Sequence, residues 1–213
     1  MNMQLLHEVA FYLMYACAAL AIFVIVERGL FFGYTLRQAV GLEKAMTHAV
    51  QHVRELPDAL RSRASLPLAL VSEILAEKHH LGSDKDLEDF SESVYIAHRG
   101  EVQQRLWILD TIVTAAPLLG LLGTILGIID TFKALAVSGV SDPGQVSQGI
   151  GTALYATALG IGIAVVGMFF FNMFQERIER INDHLKVLML RACVGRIAGQ
   201  DQPQPHNGKL HVA

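Results

Sequence analysis

The most informative absence in this sequence is the lack of charge in three long windows. Residues 9–26, 111–129 and 143–175 contain no Asp, Glu, Lys or Arg, although charged residues make up 17% of the 213-residue chain. A helix needs about 20 mostly apolar residues to cross the hydrocarbon layer of a bilayer, and a soluble core does not gather its apolar residues in this way. The windows therefore predict an all-α membrane protein with three transmembrane helices.

Catalytic and metal-binding patterns are also lacking. The chain has 2 cysteines, Cys17 and Cys193, which give neither a disulfide framework nor a metal-ligand spacing. No Ser/His/Asp or Cys/His arrangement has a supporting spacing, and the Gly-rich segment GLLGTILG lacks the Lys of a phosphate-binding loop. We expect no enzymatic activity, no cofactor and no metal, and the net charge of −3 does not suggest a nucleic-acid partner.

Positively charged residues are unevenly distributed along the chain. All but one of the 17 Lys and Arg residues lie in 28–105 and 177–209, and the exception is Lys133. Because positive residues favour the cytoplasmic side, this distribution predicts a multi-pass inner-membrane protein with a periplasmic N-terminus and a cytoplasmic C-terminus. The N-terminal residues carry no Lys or Arg before the apolar run, so we expect the first span to be retained as a membrane helix.

The apolar windows and helical periodicity divide the chain into seven predicted segments. The second and third spans extend into a cytoplasmic helical bundle, with residues 84–131 forming one nearly continuous helix and a further helix running from about 145 to 197. A separate helix is predicted for 36–56, and a short one begins at Pro67. In order, the segments are the N-terminus and first span (1–32), a cytoplasmic helical region (33–107), the second span (108–132), a periplasmic turn (133–147), the third span (148–174), its cytoplasmic extension (175–198) and a disordered tail (199–213).

Small and polar residues form stripes along the second and third spans. On a helical wheel of the second span, one arc of about 140° holds the following residues: Asp110, Thr114, Pro117, Gly120, Thr124, Gly127 and Thr131. The third span carries a small-residue strip flanked by Thr152 and Thr157. Close helix packing is predicted at Gly120, Gly123, Gly127, Ala156, Gly160 and Ala164, because small residues let helix backbones approach closely in a membrane.

These stripes have two interpretations. In the first, Gly and Ala pack and each Thr bonds only its own helix backbone. In the second, the Thr residues line an axis that is surrounded by protein or filled with water. A proton path needs a titratable group inside the membrane, and the second and third windows contain no Asp, Glu, His, Lys or Arg. If this protein conducts protons, the carboxylate has to come from a partner.

The same segments resemble those of the ExbB/TolQ/MotA family of proton-channel subunits, and most closely its ExbB-like and TolQ-like members. The resemblance is carried by VER after the first span, by TAAPLLGLLGTILGIIDTF and by GIGTALYATALGIGIAV. It implies a homopentamer in the lipid bilayer around a single-span partner similar to ExbD or TolR, whose membrane Asp carries protons. It also implies a TonB-like energy transducer that energises outer-membrane transport. The positions that match the family's pore-lining residues are Thr124 and Thr157.

One departure from the family pattern concerns the third span. Many members carry a Glu where this sequence has Thr152, so that this position does not titrate here. Either the Glu is dispensable for proton passage or another group substitutes for it. Asp110, on the Thr stripe at the cytoplasmic end of the second span, is the nearest candidate, although an Asp at this point is also typical of a membrane boundary. The residues predicted to line the pore or the proton path are Thr124, Thr157, Thr152, Asp110 and Thr114. A TolQ-like role in envelope maintenance and a non-conducting membrane scaffold remain as alternative functions.

Overall fold

The computed structural model describes residues 3–46, 53–61, 64–78, 80–81, 83–138 and 143–194. Every regular element in these residues is helical, and three helices are long and apolar enough to cross a membrane. This confirms the predicted all-α fold with three candidate spans. The helices are α1 (Met3–Ala45), a 3-10 turn (Val53–Glu55), α2 (Asp58–Arg61), α3 (Leu66–Glu77), α4 (Asp84–Gln103), α5 (Leu106–Ser138) and α6 (Pro143–Val194).

Several helix boundaries differ from those predicted. The helix predicted over 84–131 is interrupted, because α4 ends at Gln103 and Arg105 adopts a left-handed backbone with φ 64°. The helix predicted for 36–56 is not separate, since its described first part continues α1 as far as Ala45. Helices also extend into the predicted turn 133–147, to Ser138 from one side and from Pro143 on the other. The tail 199–213 lies outside the described residues.

The chain divides into two compact units, and α1 and α6 contribute residues to both. The first unit comprises Met1–Phe32 and Gln103–Arg177, and the second comprises Gly33–Val102 and Ile178–Ala213. In the first unit α1 packs on α6 through Phe32 and Phe174, both fully buried, whose ring centroids lie 5.3 Å apart. Gly29 lies beside this contact, and a Cβ there would be in ordinary van der Waals contact with the Phe174 ring at 3.9 Å.

The second unit has an apolar core supplied by four helices. The short helix that begins beside Pro67 buries Leu70, Val71, Ile74 and Leu75, as its periodicity predicts. The C-terminal part of α6 places four residues with at most 1% exposure in the same unit, namely Ile178, Ile181, Leu185 and Leu188. The 3–4–3 spacing of these four residues keeps them on one helical face.

Charged side chains of the second unit bond the backbone at helix ends. Lys78 is 1% exposed, and its Nζ donates a hydrogen bond of 2.7 Å to the carbonyl of Ala192 in the last turn of α6. Arg191 donates to the carbonyls of Glu43 and Met46, where α1 ends. Carbonyls in a last helical turn lack intrahelical partners, so these cations stabilise both helix C-termini.

Candidate functional site in the second and third spans

The α5 and α6 helices touch backbone to backbone at two glycines. A Cβ added at Gly120 would lie 2.9 Å from the carbonyl oxygen of Ala156, and one added at Gly160 would lie 2.5 Å from the carbonyl oxygen of Ala116. These distances are shorter than real Cβ contacts, and the neighbouring atoms belong to a helix backbone that cannot rotate away. Both positions therefore need the missing side chain of glycine.

The interface between α5 and α6, called the seam below, continues along both helices on either side of these two glycines. A Cβ at Gly123 would meet the Ala156 methyl at 2.9 Å, and one at Gly167 would meet Val113 at 2.9 Å. Gly149 lies directly against Thr131 at the other end of the seam. The two helices are thus antiparallel. The remaining residues predicted to pack, Gly127 and Ala164, are also buried.

Thr124 and Thr157 meet in the middle of this seam. Their hydroxyl oxygens are in direct hydrogen-bond contact, and both side chains are part-buried. Thr124 also lies 3.0 Å from the Ala153 carbonyl across the interface and 3.2 Å from the Gly120 carbonyl on its own helix. Thr157 lies 3.1 Å from that same Gly120 carbonyl. The hydroxyl pair therefore connects α5 to α6, rather than each Thr bonding only its own helix.

The hydrogen bond between the two hydroxyls can run in either of two directions. Each hydroxyl has one hydrogen to donate and can accept as well. Thr157 can donate to Thr124 while Thr124 donates to Ala153, or Thr124 can donate to Thr157 while Thr157 donates to Gly120. Both arrangements satisfy both hydrogens, so the pair can reverse its direction of donation without moving a heavy atom.

The other three candidate polar residues are exposed and apart from this pair. Thr114 donates to carbonyls of its own helix, at 2.9 Å to Thr111 and 3.2 Å to Asp110. Thr152 donates to its own helix at Gln148, at 3.0 Å. The predicted polar arc of α5 is therefore divided, since Gly120, Thr124 and Thr131 contact α6 while Asp110 and Thr114 are exposed.

The register of the seam separates Asp110 from Thr152. Thr152 lies between the levels of Gly123 and Thr131 on α5, because Ala156 contacts the first and Gly149 the second. Asp110 lies beyond Val113, at the far end of the seam. At 1.5 Å per residue, the two are at least about 20 Å apart along the helix axis. Asp110 therefore does not occupy the place of a carboxylate at position 152.

A charged cluster beside the seam was not foreseen as a unit from the sequence. Glu27 on α1 lies 2.9 Å from Arg28 Nε and 3.2 Å from Arg105 Nη1, at the start of α5. The sequence shows Glu27 and Arg28 next to each other directly after the first apolar window, and this pair is the part of the cluster that the sequence could indicate. The contribution of Arg105 depends on the break between α4 and α5. Within the described ranges, no group of three or more His, Cys, Asp or Glu side chains is arranged to bind a metal ion.

Comparison with known proteins agrees with this architecture. The sequence profile described as the MotA/TolQ/ExbB proton channel family matches residues 42–186, which is more than half of the chain. The chain belongs to this proton channel family.

Individual relatives narrow the resemblance within the MotA/TolQ/ExbB family. The chain is similar to the biopolymer transport protein exbB1 of Vibrio cholerae, with 33% identity over 162 residues that cover 71% of this chain and 68% of that protein. It is 35% identical to a putative ExbB homolog of Methanothermobacter thermautotrophicus over 120 residues, covering 55% of this chain and 42% of the relative. The Tol-Pal system protein TolQ of Pseudomonas aeruginosa is 33% identical over 81 residues, covering 38% of this chain and 35% of the relative. The chain thus spans well under two thirds of the length of two of these three relatives.

Proposed function

We propose that this chain is the pore-forming subunit of a proton-driven motor in a bacterial inner membrane. Five copies surround a single-span partner similar to ExbD or TolR, and the N-terminus is periplasmic while the C-terminus is cytoplasmic. Proton flow through the assembly acts on a TonB-like protein and energises outer-membrane transport. The membership in a proton channel family and the ExbB relatives support this proposal.

The Thr124–Thr157 pair is the observation that carries the proposal. Its two hydroxyls lie part-buried in the middle of a membrane helix pair and can reverse their hydrogen bonds in place. A hydroxyl pair of this kind accepts a hydrogen bond on one side and donates on the other, which suits a group beside a proton carrier. It does not itself store a proton near neutral pH, since a threonine hydroxyl does not ionise in that range.

The proton carrier in this proposal is a carboxylate of the partner. No Asp, Glu, His, Lys or Arg occurs in 111–129 or 143–175 of this chain, so the wall of the pore is neutral along its length. Asp110 and Thr114 occupy the cytoplasmic mouth in this scheme and receive the proton after it leaves the partner. Thr152 lines the outer half without titrating.

The proposal is tested by replacing the two hydroxyls with methyl groups. Thr124→Val and Thr157→Val keep the side-chain volume and remove the hydroxyl, whereas Thr124→Ser and Thr157→Ser keep it. Energy-dependent uptake through an outer-membrane receptor is expected to fall about 100-fold in the Val variants and to be retained in the Ser variants. Thr111→Val is the matched control, because Thr111 is exposed and donates only to the Trp107 carbonyl of its own helix.

The outcome also separates the alternative functions. A non-conducting scaffold would assemble and support uptake equally well with Val at both positions, so that result would refute the proton path. A TolQ-like subunit would lose envelope integrity under detergent stress in the Val variants while uptake stayed normal. This second function is kept because a TolQ protein is among the relatives.

A further inference from the structure

An apolar groove lies between α1 and α6 within the first unit. Its volume is about 520 Å³, and small side chains, Ala18 and Ala21 on α1 and Ala158 and Gly162 on α6, form much of its lining. Gly162 leaves the groove open, since a Cβ added there would meet nothing within 4 Å. A methylene group fills roughly the 30 Å³ that a water molecule occupies, so the groove has room for about one acyl chain of a membrane lipid.

A buried arginine follows this groove along α1. Arg28 comes seven residues after Ala21, which places it within about 20° of the same helical direction two turns further on. The residue is 4% exposed, and its guanidinium lies 5.0 Å from the centre of the Phe31 ring. Its Nε is 2.9 Å from the Glu27 carboxylate but is not oriented to hydrogen-bond with it, so the buried Nε–H has no hydrogen-bond acceptor among the residues that the structure describes.

The cluster around Arg28 has one more positive charge than negative charge. The single carboxylate of Glu27 is shared, with one oxygen near Arg28 and the other 3.2 Å from Arg105. A buried guanidinium that shares its counter-ion and keeps an unbonded donor is stabilised by a second anion. Phosphate suits this role, because a guanidinium fork can donate two parallel hydrogen bonds to its oxygens.

We propose that the α1–α6 groove and Arg28 together bind one phospholipid, with an acyl chain in the groove and the headgroup phosphate on Arg28. The charge decides between possible occupants of the groove. An apolar helix from a second copy would fill the same space but would add no anion to the Glu27 carboxylate that Arg28 shares with Arg105. A phospholipid supplies the chain and the charge in one molecule, and basic sites beside membrane helices bind such headgroups. The site does not depend on the proton path, since it involves neither Thr124 nor Thr157.

Native mass spectrometry of the purified full-length protein in detergent tests this site. The added probes are dioleoylphosphatidylglycerol, dioleoylglycerol, which has the same chains without phosphate, and inorganic phosphate. We expect the wild type to retain one phosphatidylglycerol per chain and to bind it about tenfold more tightly than dioleoylglycerol. Arg28→Gln is expected to abolish this preference, and Arg28→Lys to restore part of it.

Filling the groove gives a second, charge-neutral test. Gly162→Leu is expected to weaken phosphatidylglycerol binding about tenfold or more, because the new side chain occupies the space of the acyl chain. Gly151→Leu is its matched control, since Gly151 is equally open on the same helix and does not line the groove. Lys133→Gln is the control for the loss of one positive charge, and both controls are expected to bind as the wild type does.

Four results would overturn the proposal. Wild-type binding by Gly162→Leu would show that the groove is not the lipid site, and an undiminished preference in Arg28→Gln would remove Arg28 from it. Displacement of phosphatidylglycerol by millimolar inorganic phosphate would assign Arg28 to a free anion. A disulfide between copies at Gly162→Cys, in a background with Cys17→Ser and Cys193→Ser, would show that a second chain occupies the groove.

Discussion

At the scale of single residues, two hydroxyls illustrate how a helix pair can be polar inside a membrane without carrying charge. Thr124 and Thr157 satisfy their hydrogens with each other and with backbone carbonyls of both helices. Asp110 and Thr114 differ from this pair because they lie exposed at one end of α5. The residues named for a proton path thus fall into a central pair, a pair at one end and the separate Thr152.

The role of Asp110 is testable by Asp110→Asn, which keeps the size of the side chain and removes its titratable group. If Asp110 receives the proton at the cytoplasmic mouth, energy-dependent uptake should fall about tenfold or more, because proton transfer by a positioned group contributes at least that much. Uptake by growing cells, with the protein level checked by immunoblot, measures the effect.

Asp183→Asn is the control for this substitution, since Asp183 is an exposed acid on α6 in the second unit. Unchanged uptake in Asp110→Asn would leave Asp110 as a residue that marks the end of the membrane span. It would also remove Asp110 from the proton path.

At the scale of helices, the α5–α6 seam depends on the absence of side chains rather than on hydrophobic burial. Lipid is as apolar as a leucine side chain, so membrane helices associate through close packing and interhelical hydrogen bonds. Gly120 and Gly160 bring the two backbones together, and this approach places Thr124 within reach of the Ala153 carbonyl. The packing residues and the hydroxyl pair are therefore parts of one interface.

Gly160→Ala tests the seam, because the added methyl would lie 2.5 Å from the Ala116 carbonyl oxygen and would force α5 and α6 apart. Overpacking of this kind typically costs about 1–3 kcal/mol. Gly151→Ala should have the opposite sign, with a gain of about 0.5–1 kcal/mol, since its Cβ meets no neighbour and alanine favours a helix.

Reversible unfolding in mixed micelles measures both variants. Equal stability of Gly160→Ala and Gly151→Ala would contradict the close approach of the two backbones. In the uptake assay, Gly160→Ala should also lose function if the position of the hydroxyl pair depends on the seam.

At the scale of the whole molecule, one chain supplies a set of membrane helices and a set of polar-faced helices. The α6 helix is 52 residues long, or about 78 Å, more than twice the hydrocarbon thickness of a bilayer. Such a helix belongs in part to the first unit and in part to the second. In the proposed motor, the first unit forms the pore wall and the second lies in the cytoplasm.

The assembly itself is the prediction at this scale. Copurification with a single-span partner encoded beside this chain should give an assembly that contains the partner, because the neutral pore wall needs a carboxylate from elsewhere, and the proposal expects five copies of this chain in it. Native mass spectrometry counts the subunits directly. A stable assembly that conducts protons without any partner would contradict the proposal, since this chain has no Asp, Glu, His, Lys or Arg in 111–129 or 143–175.

The sequence by itself determined the features that depend on composition along the chain. The three charge-free windows predicted the spans because a membrane helix has to be apolar over its full length. The 3–4–3 spacing predicted the buried face of the C-terminal part of α6. The small-xxx-small spacing around Gly160 likewise indicated where helices approach, since only small residues permit it.

Only the tertiary structure decided which polar residues meet. The helical wheel placed Asp110, Thr114 and Thr124 in one arc, but in the structure Thr124 is part-buried against α6 while Asp110 and Thr114 are exposed. The register separates Asp110 from Thr152, and the left-handed turn at Arg105 ends the helix that the sequence predicts to continue. Burial, register and such a turn depend on contacts between residues far apart in the chain, and a local pattern does not contain them.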